Sequence, residues 1–184
     1  MANKRLQATL YSAPDPWLYR KKMKILEDII LEDSIEIKSK PEVVFNFITS
    51  LVDNESYCKW HPKDHISLQW IKGNPWEEDS VVVAKEYVHG VKHTFKFIVT
   101  SVKENQLIEY KPKSKFLRIF IPLNSFNFDS TPDGCVFTAR GSYRIGRLGK
   151  LFAKKFIDKG IESMKLHLKE EGQNLKKIIE TGNL

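Results

Sequence analysis

Residues 57–70, with the sequence YCKWHPKDHISLQW, bring together many side chains that could take part in chemistry. They include two histidines, an aspartate, a cysteine, a tyrosine and two tryptophans. Imidazole nitrogens and carboxylate oxygens are common zinc ligands in proteins. The stretch is therefore either one wall of a metal site or a polar turn between ordinary elements. These residues alone cannot form a metal site, so the choice between the two interpretations depends on which other residues of the chain lie beside them.

A second candidate group lies in SMKLHLKEEGQNL, residues 163–175. His167 and Glu171 are four residues apart, so on a helix they project from one face on successive turns. They continue a small or apolar line, where an unpaired imidazole or carboxylate would be costly to bury. Such a pair can chelate Zn²⁺. The alternative is an exposed pair on the solvent side of the helix, with Leu168 facing inward.

Glu86 is the third candidate. In VVVAKEYVHG it shares a strand face with Val82, Ala84 and Val88, an apolar row in which a carboxylate is out of place. A titratable group in such a setting is a candidate for a functional site. The alternatives are a strand end near solvent, or a salt bridge to a lysine on the neighbouring strand.

The two histidines of the first stretch pose a problem of direction. Pro62 biases His61 toward an extended conformation, so we expect only one of His61 and His65 to point at a given site. Asp64 or a backbone carbonyl would orient a ligating imidazole. Strict alternation puts His65 on the strand face opposite Leu68. His65 then reaches a pocket only if its face is the inner one or the strand begins after it.

Hydrophobic periodicity predicts the elements that must position these groups. SIEIKS is predicted as a strand, and KPEVVFNFITSLV as a helix with Pro41 at its first position. The apolar spacing from Leu148 to about residue 179 predicts one long closing helix. Between these helices the patterns predict antiparallel strands over residues 66–73, 79–90, 91–102, 107–112, 115–130 and 135–146. The stretch 115–130 is interpreted as one long strand or a bent pair, with Pro122 at an edge or bulge.

The chain divides into an N-terminal region, residues 1–32, and one α+β domain, residues 33–184. The first region has a short arm followed by a stretch that suits a helix through Trp17, Met23, Leu26 and Ile30 but could also open strands. The rest has no repeat or linker.

Composition describes an ordinary globular protein, with 184 residues, 41% hydrophobic and 29% charged. No apolar run reaches the roughly 18 residues that span a bilayer, and the N-terminus lacks a signal-peptide pattern, which argues against secretion. Two distant cysteines, Cys58 and Cys135, suit a reducing cytoplasm. The net charge of +7 comes from scattered lysines, which favours a solvated basic surface over nucleic-acid binding. A lysine-rich C-terminal helix lying on a membrane surface is a weaker alternative, and stable membrane insertion is not expected.

The order and lengths of these elements resemble the helix-grip fold of the START/Bet v 1-like superfamily, often labelled polyketide cyclase/dehydrase proteins. The resemblance covers roughly residues 33–181. It implies a curved antiparallel sheet wrapped around a long C-terminal helix, enclosing a pocket. This fold hosts carriers, cyclases, hydrolases and chaperone cofactors, so it does not assign a function.

The string WHPKDHI resembles a motif of the diacetylphloroglucinol hydrolase family, zinc-dependent helix-grip enzymes that cut a carbon–carbon bond between an acyl group and a phenolic ring. The resemblance implies a zinc site and assigns a role in substrate handling to Tyr57, eight residues before the motif histidine. His93 and Tyr143 match two further pocket residues of the family by type, and Trp70, Phe95 and Phe97 are expected walls for a flat aromatic ligand. The implied zinc ligands are His65, Glu86, His167 and Glu171.

The function that this resemblance implies is a small cytoplasmic zinc-dependent hydrolase acting on an aromatic acyl compound. The ring carbon would be protonated while hydroxide attacks the acyl carbonyl, with Tyr57 holding or protonating an oxygen. Fe²⁺ and Mn²⁺ accept the same donor types. The alternative is a metal-free carrier or sensor of a hydrophobic small molecule. A basic module that binds an acidic partner is a third possibility.

Overall fold

The computed structural model describes residues 26–88, 90–146 and 153–182, apart from the side chain of Phe156. The predicted arm and the helix alternative around Trp17 and Met23 lie outside the described residues. So does the predicted start of the closing helix at Leu148.

Seven strands and four helices make up the described part of the chain. Their order is β1 (Leu26–Ile37), α1 (Pro41–Thr49), α2 (Asn54–Trp60), β2 (His65–Lys72), β3 (Val81–Val88), β4 (Val91–Lys103), β5 (Leu107–Pro112), α3 (Leu117–Phe120), β6 (Leu123–Thr131), β7 (Gly134–Gly146) and α4 (Lys154–Glu180).

All seven described strands form one antiparallel sheet in the order β1-β7-β6-β5-β4-β3-β2. From β2 to β7 each strand pairs with the next one along the chain, and β1 closes the other edge by pairing with β7 from Leu26↔Gly146 to Ile37↔Cys135. The long helix α4 lies on the concave face, where Leu175 joins the buried core. This arrangement confirms the predicted α+β class and helix-grip architecture.

Helix α1 closes one end of the core. It begins with Pro41 in its first turn, and its Val44 and Ile48 side chains are fully buried. Burying one such aliphatic side chain stabilises the fold by about 1.5–3 kcal/mol. Phe45 packs edge-on against Phe128 of β6, with ring centroids 5.4 Å apart. The predicted helix is therefore confirmed.

The first strand begins at Leu26, which confirms the strand alternative for this part of the N-terminal region. Residues 26–32 belong to β1, so the helix alternative through Leu26 and Ile30 is wrong, and the domain boundary at residue 33 is too late. Pairing with β7 along the full length of β1 favours the strand over a helix.

Two further elements differ from the predictions. Helix α2 was not predicted; Asp53 caps it by accepting a 2.9 Å hydrogen bond from the Ser56 backbone, while Ser56 Oγ accepts one from the Asp53 backbone. The stretch 115–130 is neither a long strand nor a bent strand pair, because its first half forms the short helix α3. Pro122 stands between α3 and β6 rather than at an edge or bulge.

Candidate metal centre

The turn between α2 and β2 places two histidines on the same side. The backbone N–H of His65 donates to the carbonyl of His61 at 2.9 Å, which closes the turn. Both side chains are buried, and their ring centroids are 5.3 Å apart. The expectation that only one of them would point at the site is wrong, since this closed turn carries both rings inward.

A β-bulge explains why His65 faces inward. His65 lies opposite Glu86 of β3, and Leu68 lies opposite Ala84, so β2 takes three steps where β3 takes two. The extra residue resets the alternation of β2. His65 and Leu68 are consequently both buried on the concave face, although strict alternation would separate them.

Four side chains that the sequence singled out meet at this point. Nε2 of His65 lies 3.0 Å from Oε1 of Glu171 and 3.8 Å from Oε2 of Glu86. Nε2 of His167 lies 3.5 Å from the same Glu171 oxygen. His167 and Glu171 are buried, so the exposed-pair alternative is wrong. Glu86 likewise lies on the inner face rather than in a salt bridge to a lysine.

The Nδ1 atoms of His65 and His167 each form a hydrogen bond with a neighbouring residue. Nδ1–H of His65 donates to the carbonyl oxygen of Tyr57 at 2.9 Å. Nδ1–H of His167 donates to Oδ2 of Asp64 at 3.2 Å. These bonds leave Nε2 of both rings directed at the buried carboxylates, as in metal sites whose histidines are oriented from behind. Asp64 and a backbone carbonyl both occur in the predicted role, on different histidines.

Tyr57 completes the group. Its hydroxyl donates to Oε2 of Glu86 at 2.6 Å. Its ring stacks on the ring of His65, with centroids 3.7 Å apart and planes within 3°. Burial and the charge of Glu86 raise the pKa of Tyr57 well above its usual value, which keeps the hydroxyl protonated as a donor.

The electrostatics of the group are dominated by Glu171. Burial would raise the pKa of Glu171, but hydrogen bonds from His167 and His65 outweigh it and lower the pKa to about 2. Burial disfavours the charged form of His167, but its contacts with Glu171, Glu86 and Asp64 raise its pKa to about 9. Burial and the charge of Glu171 raise the pKa of Glu86.

The donor types in this group are those that a divalent cation takes. The contacts of the Glu86 and Glu171 carboxylates within the described residues are with histidine and tyrosine, not with lysine or arginine. The buried carboxylate of Glu171 and the half-buried one of Glu86 need positive charge nearby, because unpaired buried charge is costly. Two imidazole Nε2 atoms and two carboxylates match the nitrogen and oxygen ligands that Zn²⁺ takes in proteins.

His61 offers an alternative ligand. Ligand atoms of His61, His65 and His167 lie within 4.8 Å of one another, as do those of His61, Asp64 and Glu170. Nε2 of His61 is 3.4 Å from the Glu170 carboxylate, whereas its buried Nδ1 has no hydrogen-bond partner. His65 is the better placed ligand because its Nε2 faces both buried carboxylates.

A largely apolar cavity of about 160 Å³ opens beside the group. Three of the expected pocket residues, Phe95, Phe97 and Tyr143, line it together with Tyr57 and side chains of the metal group. Tyr143 folds over Gly141, where an added Cβ would lie only 2.7 Å from the tyrosine ring. The cavity thus has aromatic walls and, at the candidate metal centre, a polar end.

Two expected walls lie away from the cavity lining. Trp70 packs edge-on against Trp76, which lines the cavity in its place, because a loop residue covers this edge of the sheet. His93 pairs with Glu86 across the ladder and stacks on Phe95, with centroids 5.6 Å apart. It therefore stacks beside Phe95 on the same strand face without lining the cavity itself.

Sequence reasoning missed several lining residues. Tyr110 of β5 packs between Phe97 and Phe126, with ring centroids 5.2 and 5.3 Å away. Leu168, which the exposed-pair alternative placed facing inward, also lines the cavity, one residue beyond His167 on α4. The alternation of LIEYKP was a signal for Tyr110, but it does not say which face is the inner one.

Solved structures with this fold include three that align with most of the chain. Norcoclaurine synthase from Thalictrum flavum in complex with dopamine and hydroxybenzaldehyde is 10% identical, with a TM-score of 0.63, and the match covers 96% of this chain and 98% of that one. A protein of unknown function from Staphylococcus aureus is 13% identical, with a TM-score of 0.63 and coverage of 86% and 97%. Ara h 8.0201 is 11% identical, with a TM-score of 0.61 and coverage of 84% and 99%. These likenesses show the Bet v 1-like helix-grip fold.

The comparison with protein families identifies a family as well as a fold. No curated protein matches the chain. The family described as polyketide cyclase / dehydrase and lipid transport matches residues 28–180. That match takes in all of α4 and every described strand except the first two residues of β1, and it includes the four residues that meet at the candidate metal centre. The narrower resemblance to diacetylphloroglucinol hydrolases stays a prediction. The chain belongs to the polyketide cyclase / dehydrase and lipid transport family.

Proposed function

We propose that this protein is a metal-dependent hydrolase-like enzyme that acts on a small aromatic acyl or ketone compound. Zn²⁺ would be held by His65, Glu86, His167 and Glu171, and Fe²⁺ or Mn²⁺ would suit the same donors. The observation that supports this most is the pair of imidazoles whose Nδ1 atoms are both bound from behind. That arrangement prepares two Nε2 atoms and the carboxylates of Glu86 and Glu171 to bind one cation.

The proposed reaction is hydrolysis of the bond between an acyl carbon and a phenolic ring carbon. When bound, Zn²⁺ acts as a Lewis acid toward a carbonyl oxygen and lowers the pKa of water toward about 7. Water supplies the hydroxyl that the acyl carbon gains and the proton that the ring carbon gains, so the products are a carboxylic acid and the free phenol. The protein must therefore deliver a proton on one side of the breaking bond.

Tyr57 is the residue placed to handle that proton. Its hydroxyl stays protonated because of burial and the neighbouring Glu86, and it borders the cavity. It can hydrogen-bond to a substrate oxygen or donate a proton at the reacting centre. Phe95 and Phe97 offer flat faces for the ring.

The size of the cavity supports a small aromatic substrate. A volume of about 160 Å³ is close to the roughly 150 Å³ of an engineered apolar cavity that binds benzene. The norcoclaurine synthase structure, with the same fold, contains dopamine and hydroxybenzaldehyde. A substrate with a single ring is therefore the best match.

Metal analysis tests the proposal directly. Protein purified without added metal should carry about one zinc per chain by elemental analysis, and His167→Ala should lose it. His93→Ala is the matched control, since His93 lies opposite Glu86 in the ladder but outside the group, and it should keep the metal. Ring-acylated phenols should be cleaved to a carboxylic acid by wild type and not by His167→Ala. The absence of zinc binding in wild type, or its equal loss in both variants, would refute the proposal.

A metal-free carrier of a hydrophobic molecule is the second candidate. Its support is the mainly apolar cavity and the mention of lipid transport in the family description. A carrier would retain a co-purified hydrophobic compound, detectable by native mass spectrometry, after treatment with a chelator. Full retention by His167→Ala together with an absence of metal in wild type would favour this candidate. A cytoplasmic location and the lack of a nucleic-acid partner stay predictions.

A further inference from the structure

The segment between β5 and β6 exposes an unusual amount of apolar surface. Among the described residues ten large apolar side chains are exposed, and four of them fall within residues 116–120. Phe116 is 66% exposed, more than any other in that set. The others are Leu117, Ile119 and Phe120. Clustered exposed apolar residues mark a contact site, whereas scattered ones need no explanation.

The same segment is strongly basic. Residues 111–121, KPKSKFLRIFI, which we term the β5–β6 segment, contain three lysines and one arginine. No aspartate or glutamate occurs from residue 110 to residue 128. Lys113 and Lys115 are exposed, and neither forms an ion pair with an acidic residue in the described part of the chain. The segment therefore combines apolar side chains with uncompensated positive charge.

The exposed side chains are held in place. Nε of Arg118 donates to the Pro112 carbonyl at 2.7 Å, and its Nη2 donates to the Lys113 carbonyl at 3.2 Å. The rings of Phe116 and Phe120 contact each other edge-on, with centroids 5.5 Å apart. These contacts fix the conformation of the turn that exposes the apolar cluster.

The β5–β6 segment also borders the cavity. Ile121, the residue after the exposed cluster, lines the cavity wall. A surface that covers the exposed cluster would therefore lie next to the space in which a hydrophobic compound binds.

We propose that the β5–β6 segment docks the protein reversibly on an anionic lipid bilayer. The four apolar side chains would enter the interface, and the lysines would contact the headgroups, which is the pattern of interfacial binding. In the described part of the chain no helix is long and apolar enough to cross a bilayer. The inference does not depend on the metal centre.

Charge separates the bilayer from a second copy of the chain as the occupant. A symmetric dimer contact would place the same patch against itself, with Lys113 and Lys115 facing their own counterparts. Like charges at close range oppose that contact, whereas an anionic lipid surface complements them. Of these two occupants, only the anionic lipid surface both buries the apolar cluster and attracts the lysines beside it.

Vesicle co-sedimentation tests the proposal. Wild type should bind vesicles of phosphatidylcholine mixed with phosphatidylglycerol, bind pure phosphatidylcholine weakly, and lose binding as sodium chloride is raised. The double variant Phe116→Ser/Phe120→Ser should bind at least about tenfold more weakly, because the apolar term is lost. Lys113→Glu/Lys115→Glu should remove the preference for the anionic lipid.

A matched control keeps the test interpretable. Tyr87→Ser/Val91→Ser removes two exposed apolar side chains from the β3–β4 hairpin, 41% and 58% exposed, and should leave binding unchanged. Thermal melting of each variant should match wild type, since all the substituted residues are exposed. No vesicle binding by wild type, or equal loss in the control, overturns the proposal. A concentration-dependent dimer that is abolished by Phe116→Ser/Phe120→Ser, without vesicle binding, would assign the patch to self-association and also overturn it.

Discussion

Asp64 determines which nitrogen of His167 faces the buried carboxylates. Its Oδ2 accepts from Nδ1–H of His167 at 3.2 Å, so the ring presents Nε2 to Glu171. His65 has no such carboxylate and relies instead on the carbonyl of Tyr57. A backbone carbonyl cannot be removed by substitution, but the Asp64 carboxylate can.

Replacing Asp64 with asparagine should weaken metal binding without abolishing it. The amide accepts a weaker hydrogen bond and removes the negative charge behind the ring, so zinc affinity should fall about 10–100-fold. Competition with a chromophoric chelator measures the change. Asp28→Asn, which only affects an exposed ion pair with Arg144, should leave affinity unaltered. Equal affinity in Asp64→Asn and wild type would show that the bond does not orient the ring.

Replacing Tyr57 with phenylalanine should separate chemistry from metal binding. The ring stacked on His65 remains, but the hydroxyl that donates to Glu86 is lost. We expect about one zinc per chain and a fall in turnover of about 10²–10⁴-fold, the range for a lost proton donor. Steady-state assays on a ring-acylated phenol measure it. Wild-type turnover in Tyr57→Phe would exclude a proton-handling role for this residue.

For individual residues, the sequence predicted the relations that spacing within one helix or strand determines. His167 and Glu171 lie on one helix, so their four-residue spacing predicted that they share a face. The burial of both His61 and His65 could not be predicted, because it depends on a turn closed by a backbone hydrogen bond. The position of Trp70 depends on Trp76, a residue of a loop with no periodic pattern.

Among the elements, β2 carries a bulge directly beside the candidate site. Three steps along β2 match two along β3 between His65 and Leu68, so one residue is extra. Without that residue, His65 and Leu68 would still be two steps apart and would share a face. In a β2 strand that is one residue shorter, His65 would therefore face inward without a bulge.

Deleting Ile66 should accordingly preserve the metal site. The shortened β2 regains regular alternation from His65 to Trp70, with His65 and Leu68 both on the inner face, and zinc stoichiometry should stay near one per chain. Deleting Gln69 is the contrasting variant, because it moves one half of β2 to the wrong face and should cause loss of zinc or of the folded state. Elemental analysis and circular dichroism distinguish these results. Loss of zinc from a folded Ile66 deletion would mean that the bulge itself shapes the site.

The elements that sequence reasoning missed are short. Helix α2 has seven residues, and its signal was the cap at Asp53 and Ser56 rather than a periodic apolar face. Helix α3 has only four residues, and two of them, the β-branched Ile119 and the aromatic Phe120, favour strands. The long helix α4 and the strands β3 and β4 were predicted, because each presents its own repeating pattern.

For the molecule as a whole, the candidate site ties together distant parts of the chain. His65 and Glu171 are 106 residues apart in sequence, yet their side chains are in contact. Glu86 comes from a third element. A cation bound by all three elements would join the edge of the sheet to the closing helix, so metal binding and folding are coupled.

Metal removal should therefore destabilise the whole domain. At zinc concentrations about 100-fold above the dissociation constant, binding only to the folded state contributes about 2.7 kcal/mol, so a chelator should lower the melting temperature by several degrees. Without metal the pKa of His167 is about 9, and below that pH a proton must leave before Nε2 can bind zinc. The stabilisation by zinc should therefore increase as the pH rises toward about 9.

Calorimetry of wild type and His167→Ala, each with zinc and with chelator, checks this expectation. The difference between the zinc and chelator melting temperatures should disappear in His167→Ala and persist in His93→Ala. If the chelator lowers all three melting temperatures equally, the cation acts elsewhere. If wild type melts at the same temperature with and without zinc, the three elements are held together by the histidine–carboxylate contacts alone, and the metal-free carrier becomes the better account of the cavity.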